Sequence, residues 1–318
     1  MNSSYSKNRL DEHDLVNYIN KVMGNNEELS FIKDLARKLN LKAYLYGGAA
    51  AGLGNYSKWL YYRENGGKAG EDFRASLAYT SSLADIFLGS QDIGLAVDVG
   101  DGMHDSDFEG VYREFEIKLN EKYPYKWGGG RFSKWEIHTL RLRLQWAGTE
   151  KKRTPVINDN FRYQHTDSMS IGLIDLKNGS IRDLGMEIRG EQRQWFKEGL
   201  LTGSIKYLYS KRHDQTEYAI NKENPPLFSI IRYIKSMFQY HLRGEDGDLE
   251  KIKLIVSRGK PLLGTEYARN WLESNTMKMF AGSSDDTGLS HYIEKIGLKD
   301  LLREMGVETV RREITIFG

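Results

Sequence analysis

The sequence has no cysteine, which excludes disulfides and thiolate metal sites and fits a reducing compartment. Proline is scarce, 5 residues in 318, while 39% of the residues are hydrophobic and 12% aromatic; a chain of this make-up buries a substantial core and is globular. No stretch comes near the ~18 uninterrupted apolar residues of a membrane-spanning helix. The opening, MNSSYSKNRLDEHD, is polar and lacks the apolar centre of a secretory signal. A cytoplasmic protein with no membrane partner is the expectation. Histidines at metal-ligand spacing are also missing: no H-x-x-x-H or H-E-x-x-H occurs, so His104–Asp105 reads as part of an acidic loop and not as a hydrolase metal site. Net charge is only +2, too little for bulk charge to announce a nucleic-acid binder.

What is present is a sharp local charge contrast. From Asp92 to Glu121 there are nine acids and two bases, and from Lys126 to Arg153 eight bases and two acids. An acidic segment beside a basic one suits a metal and a polyphosphate; two solvated surfaces are the alternative. The basic segment also carries Trp127, Trp135 and Trp146. Aromatic stacking in a positive groove is how single-stranded RNA is held without sequence readout, whereas a core role for the Trp residues remains the other reading.

Periodicity gives the organisation. DLVNYINKVM puts Leu15, Val16, Ile19 and Val22 on one helical face, and Ile32, Leu35, Ala36 and Leu39 repeat the pattern after Ser30, an expected N-cap. LKAYLYGG alternates and breaks at Gly47–Gly48, a strand entering a turn. LGSQDIGLAVD at 88–98 is a second strand, followed by an acidic loop and a helix over VYREFEIKLNEKY. EIHTLRLRLQW at 136–146 alternates as a strand, and SMSIGLIDLKNGSIRDLG predicts a hairpin about Asn178–Gly179. Beyond about residue 190 the pattern turns helical, with Ile230, Ile231, Ile234, Met237 and Phe238 forming a stripe. The fold class is therefore α+β. A mixed-sheet head occupies 1–200, interrupted by an insertion at about 49–91, and a mainly helical domain occupies 201–318, with the change of texture within 190–225.

A strand that ends in Gly-Gly before a helix lets backbone N–H groups approach phosphate oxygens with no Cβ in the way. A carboxylate on a neighbouring strand, here Asp92, can hold a divalent ion that bridges those phosphates. In phosphoryl and nucleotidyl transfer the protein mostly positions groups and balances charge.

LYGGAAAGL followed by GSQDIGLAVDV resembles the signature of the polymerase-β-like nucleotidyltransferase superfamily, an hG[GS] turn and then a strand with D-h-[DE]. The branch it is most similar to holds the poly(A) polymerases and CCA-adding enzymes. GLIDLKNGSIRDL is similar to that branch's strand–turn–strand, and NPPLFSIIRYIKSMF to its DPxRhhRhhRF helix. The resemblance is discontinuous over roughly 41–240. It implies a palm-like mixed sheet, a site for Mg²⁺ or Mn²⁺, an NTP, and an RNA (tRNA-like) 3′ end as acceptor. The residues it implies are Asp92 and Asp175 for metal and catalysis, and Gly47, Gly48, Ser90 and Arg232 for the nucleotide.

The chain departs from the pattern in three places. Forty-three residues separate Gly48 from Asp92 where the family has a short helix, and that insertion could serve a protein partner. Asn224 stands where the helix motif has an acid. Above all, position 94 is Gly. Residues 92 and 94 share a strand face about 6.6 Å apart, so two acids there could clasp a metal pair; Asp98 lies about 20 Å from Asp92 along a straight strand, too far to replace one. Asp175, flanked by Ile and Leu in the hairpin strand, is the candidate second ligand; a strand-end Asp beside the Asn-Gly turn is its alternative reading. Arg232, with Lys235, lies on the polar side of the 225–241 helix, which otherwise reads as a solvated face. The expected function is nucleotidyl transfer. A catalytically inactive nucleotide- or RNA-binding module of the same fold, or an interaction protein such as an antitoxin, stands as the alternative, with the insertion as a contact surface in the last case.

Overall fold

A computed structural model describes residues 10–65, 93–100, 102–127, 130–133, 135–139, 167–184, 192–208, 230, 233–234, 236–237, 240, 242–258 and 286–304. The chain divides into two compact units, Met1–Tyr163 with Met169–Thr202, and Gln164–Ser168 with Gly203–Gly318.

The first unit begins with α1 (Glu12–Gly24) and α2 (Glu27–Lys38). Both start at side-chain caps: Asp11 Oδ1 accepts from Asp14 N–H at 2.8 Å, and Asn26 Oδ1 accepts from Leu29 N–H at 2.8 Å. The cap of α2 is thus Asn26 and not Ser30, which lies inside the helix and donates its N–H to Asn26 O. An Asn at this place satisfies the same orphan donors that a Ser would, and the helix begins one turn earlier than its apolar stripe. Leu15, Ile19, Val22 and Met23, then Leu29, Ile32, Leu35 and Ala36, are the buried faces.

β1 (Leu41–Tyr46) is the middle strand of a five-stranded sheet. β2 (Ile93–Val99) lies on one side of it and β6 (Gly172–Asp175) on the other, both antiparallel to it. The edges are β5 (Trp135–Thr139), parallel to β2, and β7 (Ile181–Asp183), antiparallel to β6. The order β5-β2-β1-β6-β7 is a mixed sheet, as the alternating segments predict. A separate two-stranded ribbon pairs β3 (Pro124–Trp127) with β4 (Gly130–Ser133).

Period-two alternation gives the sheet two faces. One carries Leu41, Ala43 and Leu45 with Leu95, Val97 and Ile174, all buried. On this side Gly172 sits against the ring of Phe196 from α5 (Trp195–Thr202), and Leu200 of α5 packs on Gly54 of α3 (Gly48–Glu64). Asp183 at the end of β7 ties the layer together: its Oδ2 accepts from Phe196 N–H at 2.7 Å and so caps α5. The other face carries Lys42, Tyr44 and Tyr46 from β1, Gly94, Ala96 and Asp98 from β2, and Leu173, Asp175 and Arg182 from β6 and β7.

Two sequence expectations change. α3 is a core helix, with Ala49 to Asn55 buried, so the first part of the 49–91 segment packs into the head. Residues 66–92 are outside the described residues. The acidic stretch after β2 is shorter than expected, because α4 (Asp105–Lys122) begins at Asp105. Its acid-rich first turn favours a helix N-terminus, which reads as loop when only apolar periodicity is followed.

In the second unit, β8 (Ser204–Ile205) pairs parallel with β9 (Arg243–Gly244). Described helices cover Asp248–Arg258, Asp286–Lys295 and Leu298–Glu304; Ile230, Ile234 and Met237 of the predicted stripe are buried, as is Tyr233, while Ile231 and Phe238 lie outside the described residues. Asp248, 1% exposed, receives Lys206 Nζ on Oδ1 at 2.7 Å and Tyr207 N–H on Oδ2 at 2.7 Å. No helix among the described residues is long and apolar enough to cross a membrane.

Candidate nucleotide site at the end of the mixed sheet

The turn from β1 into α3 is made by Gly47 at φ 56, ψ −125. That combination is open to glycine and strained for a residue with a Cβ. Gly47 N–H donates to Gly172 O at 3.0 Å, which anchors the turn to β6, and Gly47 O accepts from Ala51 N–H at 2.9 Å, which starts the helix. Gly48, the first residue of α3, is exposed, and a Cβ built on it would meet nothing within 4 Å. The turn therefore presents a helix N-terminus with open space over it, the arrangement that favours a phosphate: amide donors, the positive end of the helix dipole and close backbone approach.

Beside this turn lies the start of β2. Its register with β1 runs from Leu41–Val99 to Leu45–Leu95, and one step on Gly94 lies beside Tyr46. A Cβ built on Gly94 would stand 2.9 Å from Tyr46 O and 3.4 Å from Tyr46 Cδ1. On its other side Gly94 has Glu136 of β5 as its Cα partner. The structure thus brings Gly47, Gly48 and Gly94 to one end of the sheet. Asp92, Ser90 and Arg232 lie outside the described residues, as does the basic segment beyond Thr139.

Asp175 shares the polar sheet face but stands across β1, opposite Tyr44, which itself opposes Ala96. With strands about 4.8 Å apart and a rise of about 3.3 Å per residue, its Cα is about 12 Å from that of Gly94. Its Oδ1 accepts from Lys177 N–H at 2.7 Å, while Gly179 N–H donates to Asp175 O at 2.8 Å. This carboxylate closes the Asn178–Gly179 hairpin turn in the manner of an Asx turn. Asp98 similarly accepts from Val99 N–H on Oδ1 at 2.8 Å. Among the described residues no three of His, Asp and Glu are grouped to hold a metal ion. The described side chains do not fit a divalent ion pair.

The same face carries, on edge strand β7, a cation that the sequence motifs do not mark. The Arg182 guanidinium lies 5.0 Å from the centre of the Tyr44 ring and hydrogen-bonds to its hydroxyl. Burial pushes the Tyr44 phenol above its usual range; Arg182 opposes that shift, and Asp175 and then Asp98 add to it. The signal was in the period-two alternation of LKAYLY and IRD, which carries Lys42, Tyr44 and Arg182 to the face shared with Asp175.

No known protein family matches the chain by sequence, nor does any curated protein. Among solved structures it is similar to CCA-adding enzymes. One, a complex with CTP, is 15% identical over 90% of this chain and 56% of that one, with a TM-score of 0.49. Another, with ATP, is 15% identical over 92% of this chain and 53% of that one, TM-score 0.46. The Thermotoga maritima CCA-adding enzyme complexed with tRNA is 16% identical over 92% and 53%, TM-score 0.44. The chain spans about half the length of these structures.

Proposed function

We propose that the chain is a nucleotidyltransferase. It binds a nucleoside triphosphate at the Gly47–Gly48 end of the mixed sheet and passes the nucleoside monophosphate to an acceptor hydroxyl, that of a tRNA-like RNA 3′ end. The observation that carries this reading is the β1–Gly47–α3 turn: a glycine held at φ 56 and anchored to Gly172 O, followed by a helix N-terminus whose first position has open space above it. In the reaction the acceptor oxygen bonds to the α-phosphorus, the bond from that phosphorus to the β-phosphate bridge breaks, pyrophosphate leaves with the electron pair, and the hydroxyl proton passes to water. The turn holds the triphosphate in place while this happens, a positioning role of the kind that dominates phosphoryl transfer. Mg²⁺ or Mn²⁺ enters this reading through Asp92 and the motif resemblance, and Ser90 and Arg232 enter it as nucleotide contacts on the same basis; the described residues carry no step that passes through a metal. The acceptor class also rests on the motif resemblance.

A second reading, capture of nucleotide or RNA without transfer, is favoured by one specific observation, the contact between Gly94 and Tyr46 where a second acid would have to stand.

Filling the space over the turn tests the site. Gly48→Val adds a side chain where a Cβ meets nothing within 4 Å, so thermal stability stays within a few degrees of wild type. NTP affinity measured by calorimetric titration falls at least about tenfold, because the β-branched side chain blocks the approach of phosphate to the first-turn amides. Equal affinity in the two chains would remove the turn from the site.

A further inference from the structure

We infer that position 94 is a packing glycine. The second carboxylate of a two-metal site has been displaced from β2 by the backbone of β1, not merely omitted by one substitution. The inference rests on the nucleotide site proposed above and specifies its metal content: β2 contributes no second metal ligand to a bound NTP.

The argument is one of contact. A Cβ at position 94 would come within 2.9 Å of Tyr46 O, closer than real Cβ atoms approach other heavy atoms. The obstructing atom belongs to the backbone of the central strand, and Tyr46 is followed at once by the Gly47 turn. A side-chain tip can rotate out of the way, but this carbonyl cannot turn without moving β1 and the phosphate turn with it. Tyr46 Cδ1, 3.4 Å from the same point, brings the ring edge against the face on which a carboxylate would have to stand. An aromatic ring laid beside a cross-strand glycine is a known way for a sheet to cover the gap that glycine leaves. Two carboxylates of this face are engaged elsewhere: the Oδ1 atoms of Asp98 and Asp175 accept backbone amides of their own strand end or turn, and Asp175 is separated from Gly94 by β1.

The substitution that reads this contact most directly is Gly94→Ala. In a strand with room for a methyl group, replacing Gly by Ala stabilises, because it removes conformational freedom from the unfolded chain. Here the contact reverses the sign, and the melting temperature of Gly94→Ala is expected to fall by about 3–8 °C. Gly94→Asp falls at least as far. Mn²⁺ is then counted by electron paramagnetic resonance in the presence of a non-hydrolysable NTP analogue, and one ion per bound nucleotide is expected in the wild type and in Gly94→Asp alike. The inference is overturned if Gly94→Ala melts at or above the wild-type temperature, or if either chain takes up a second Mn²⁺ per nucleotide. Should the analogue fail to bind the wild type at all, the proposed nucleotide site fails, while the sign of the Gly94→Ala shift still decides whether the glycine is one of contact.

Discussion

Among the described residues, Asn55 Oδ1, Ser57 Oγ and Trp59 Nε1 of α3 are buried polar atoms with no protein hydrogen-bond partner. A buried polar atom left unpaired costs on the order of 1–3 kcal/mol, which weighs against the apolar contacts of the helix that follows the Gly47 turn. Next to Ser57 in the chain, Lys58 is half-buried, and its desolvation pushes the ammonium down to about 8 from an ordinary 10.5. The linkage has a definite sign. Between pH 8 and 10.5 the unfolded chain holds the proton and the folded chain does not, so stability rises with pH across that window, and the full cost of charging the buried amine is present below pH 8. Lys58→Met should therefore stabilise the protein at pH 7, by on the order of 2 kcal/mol, with a gain that fades as the pH approaches 10.5. Chemical denaturation at pH 7 and pH 10 checks this; a pH-independent difference would mean that Lys58 is solvated in the folded state.

Among the elements, the β7–α5 junction shows how one side chain joins two layers. Asp183 is buried, and its Oδ2 receives Phe196 N–H, while Phe196 covers Gly172 of β6. Asp183→Ala leaves that amide without its acceptor and is expected to cost about 2–3 kcal/mol, read as a lower denaturant midpoint at unchanged slope. The same scale explains what could be read from the chain. Elements defined by local periodicity, α1, α2, β1, β2 and the β6–β7 hairpin, were legible because each signal lies within one segment. Asn178–Gly179 announced its turn because only a few residue types accept the positive φ that Gly179 adopts at 73. The start of α4 was not legible, since acids at a helix N-terminus resemble a solvated loop. The parallel pairing of β5 with β2 and the approach of Gly94 to Tyr46 were not legible either, because both depend on cross-strand register that no single segment encodes. For the candidate site this means that Gly47 and Gly48 could be recognised from their turn, whereas the obstruction at position 94 and the Arg182–Tyr44 pair required the sheet.

At the scale of the whole molecule, two units each have their own buried core. In the first, a mixed sheet puts one apolar face under α3 and α5; the other carries Lys42, Asp98, Asp175 and Arg182 around the buried Tyr44, Tyr46, Ala96 and Leu173, with the glycine turn at its end. In the second, the buried Asp248 holds Lys206 and the backbone of Tyr207. In the proposed function the first unit delivers the α-phosphorus of an NTP to an RNA hydroxyl. Parallel incubations with RNA, Mg²⁺ and NTPs labelled at the α- or the γ-phosphate test it most directly. The α-label is expected to become attached to the RNA 3′ end, the γ-label to leave as pyrophosphate, and Gly48→Val to slow both at least about tenfold in step with its weaker NTP binding. Attachment of γ-label to the RNA, or no attachment of α-label although NTP binds, would contradict it.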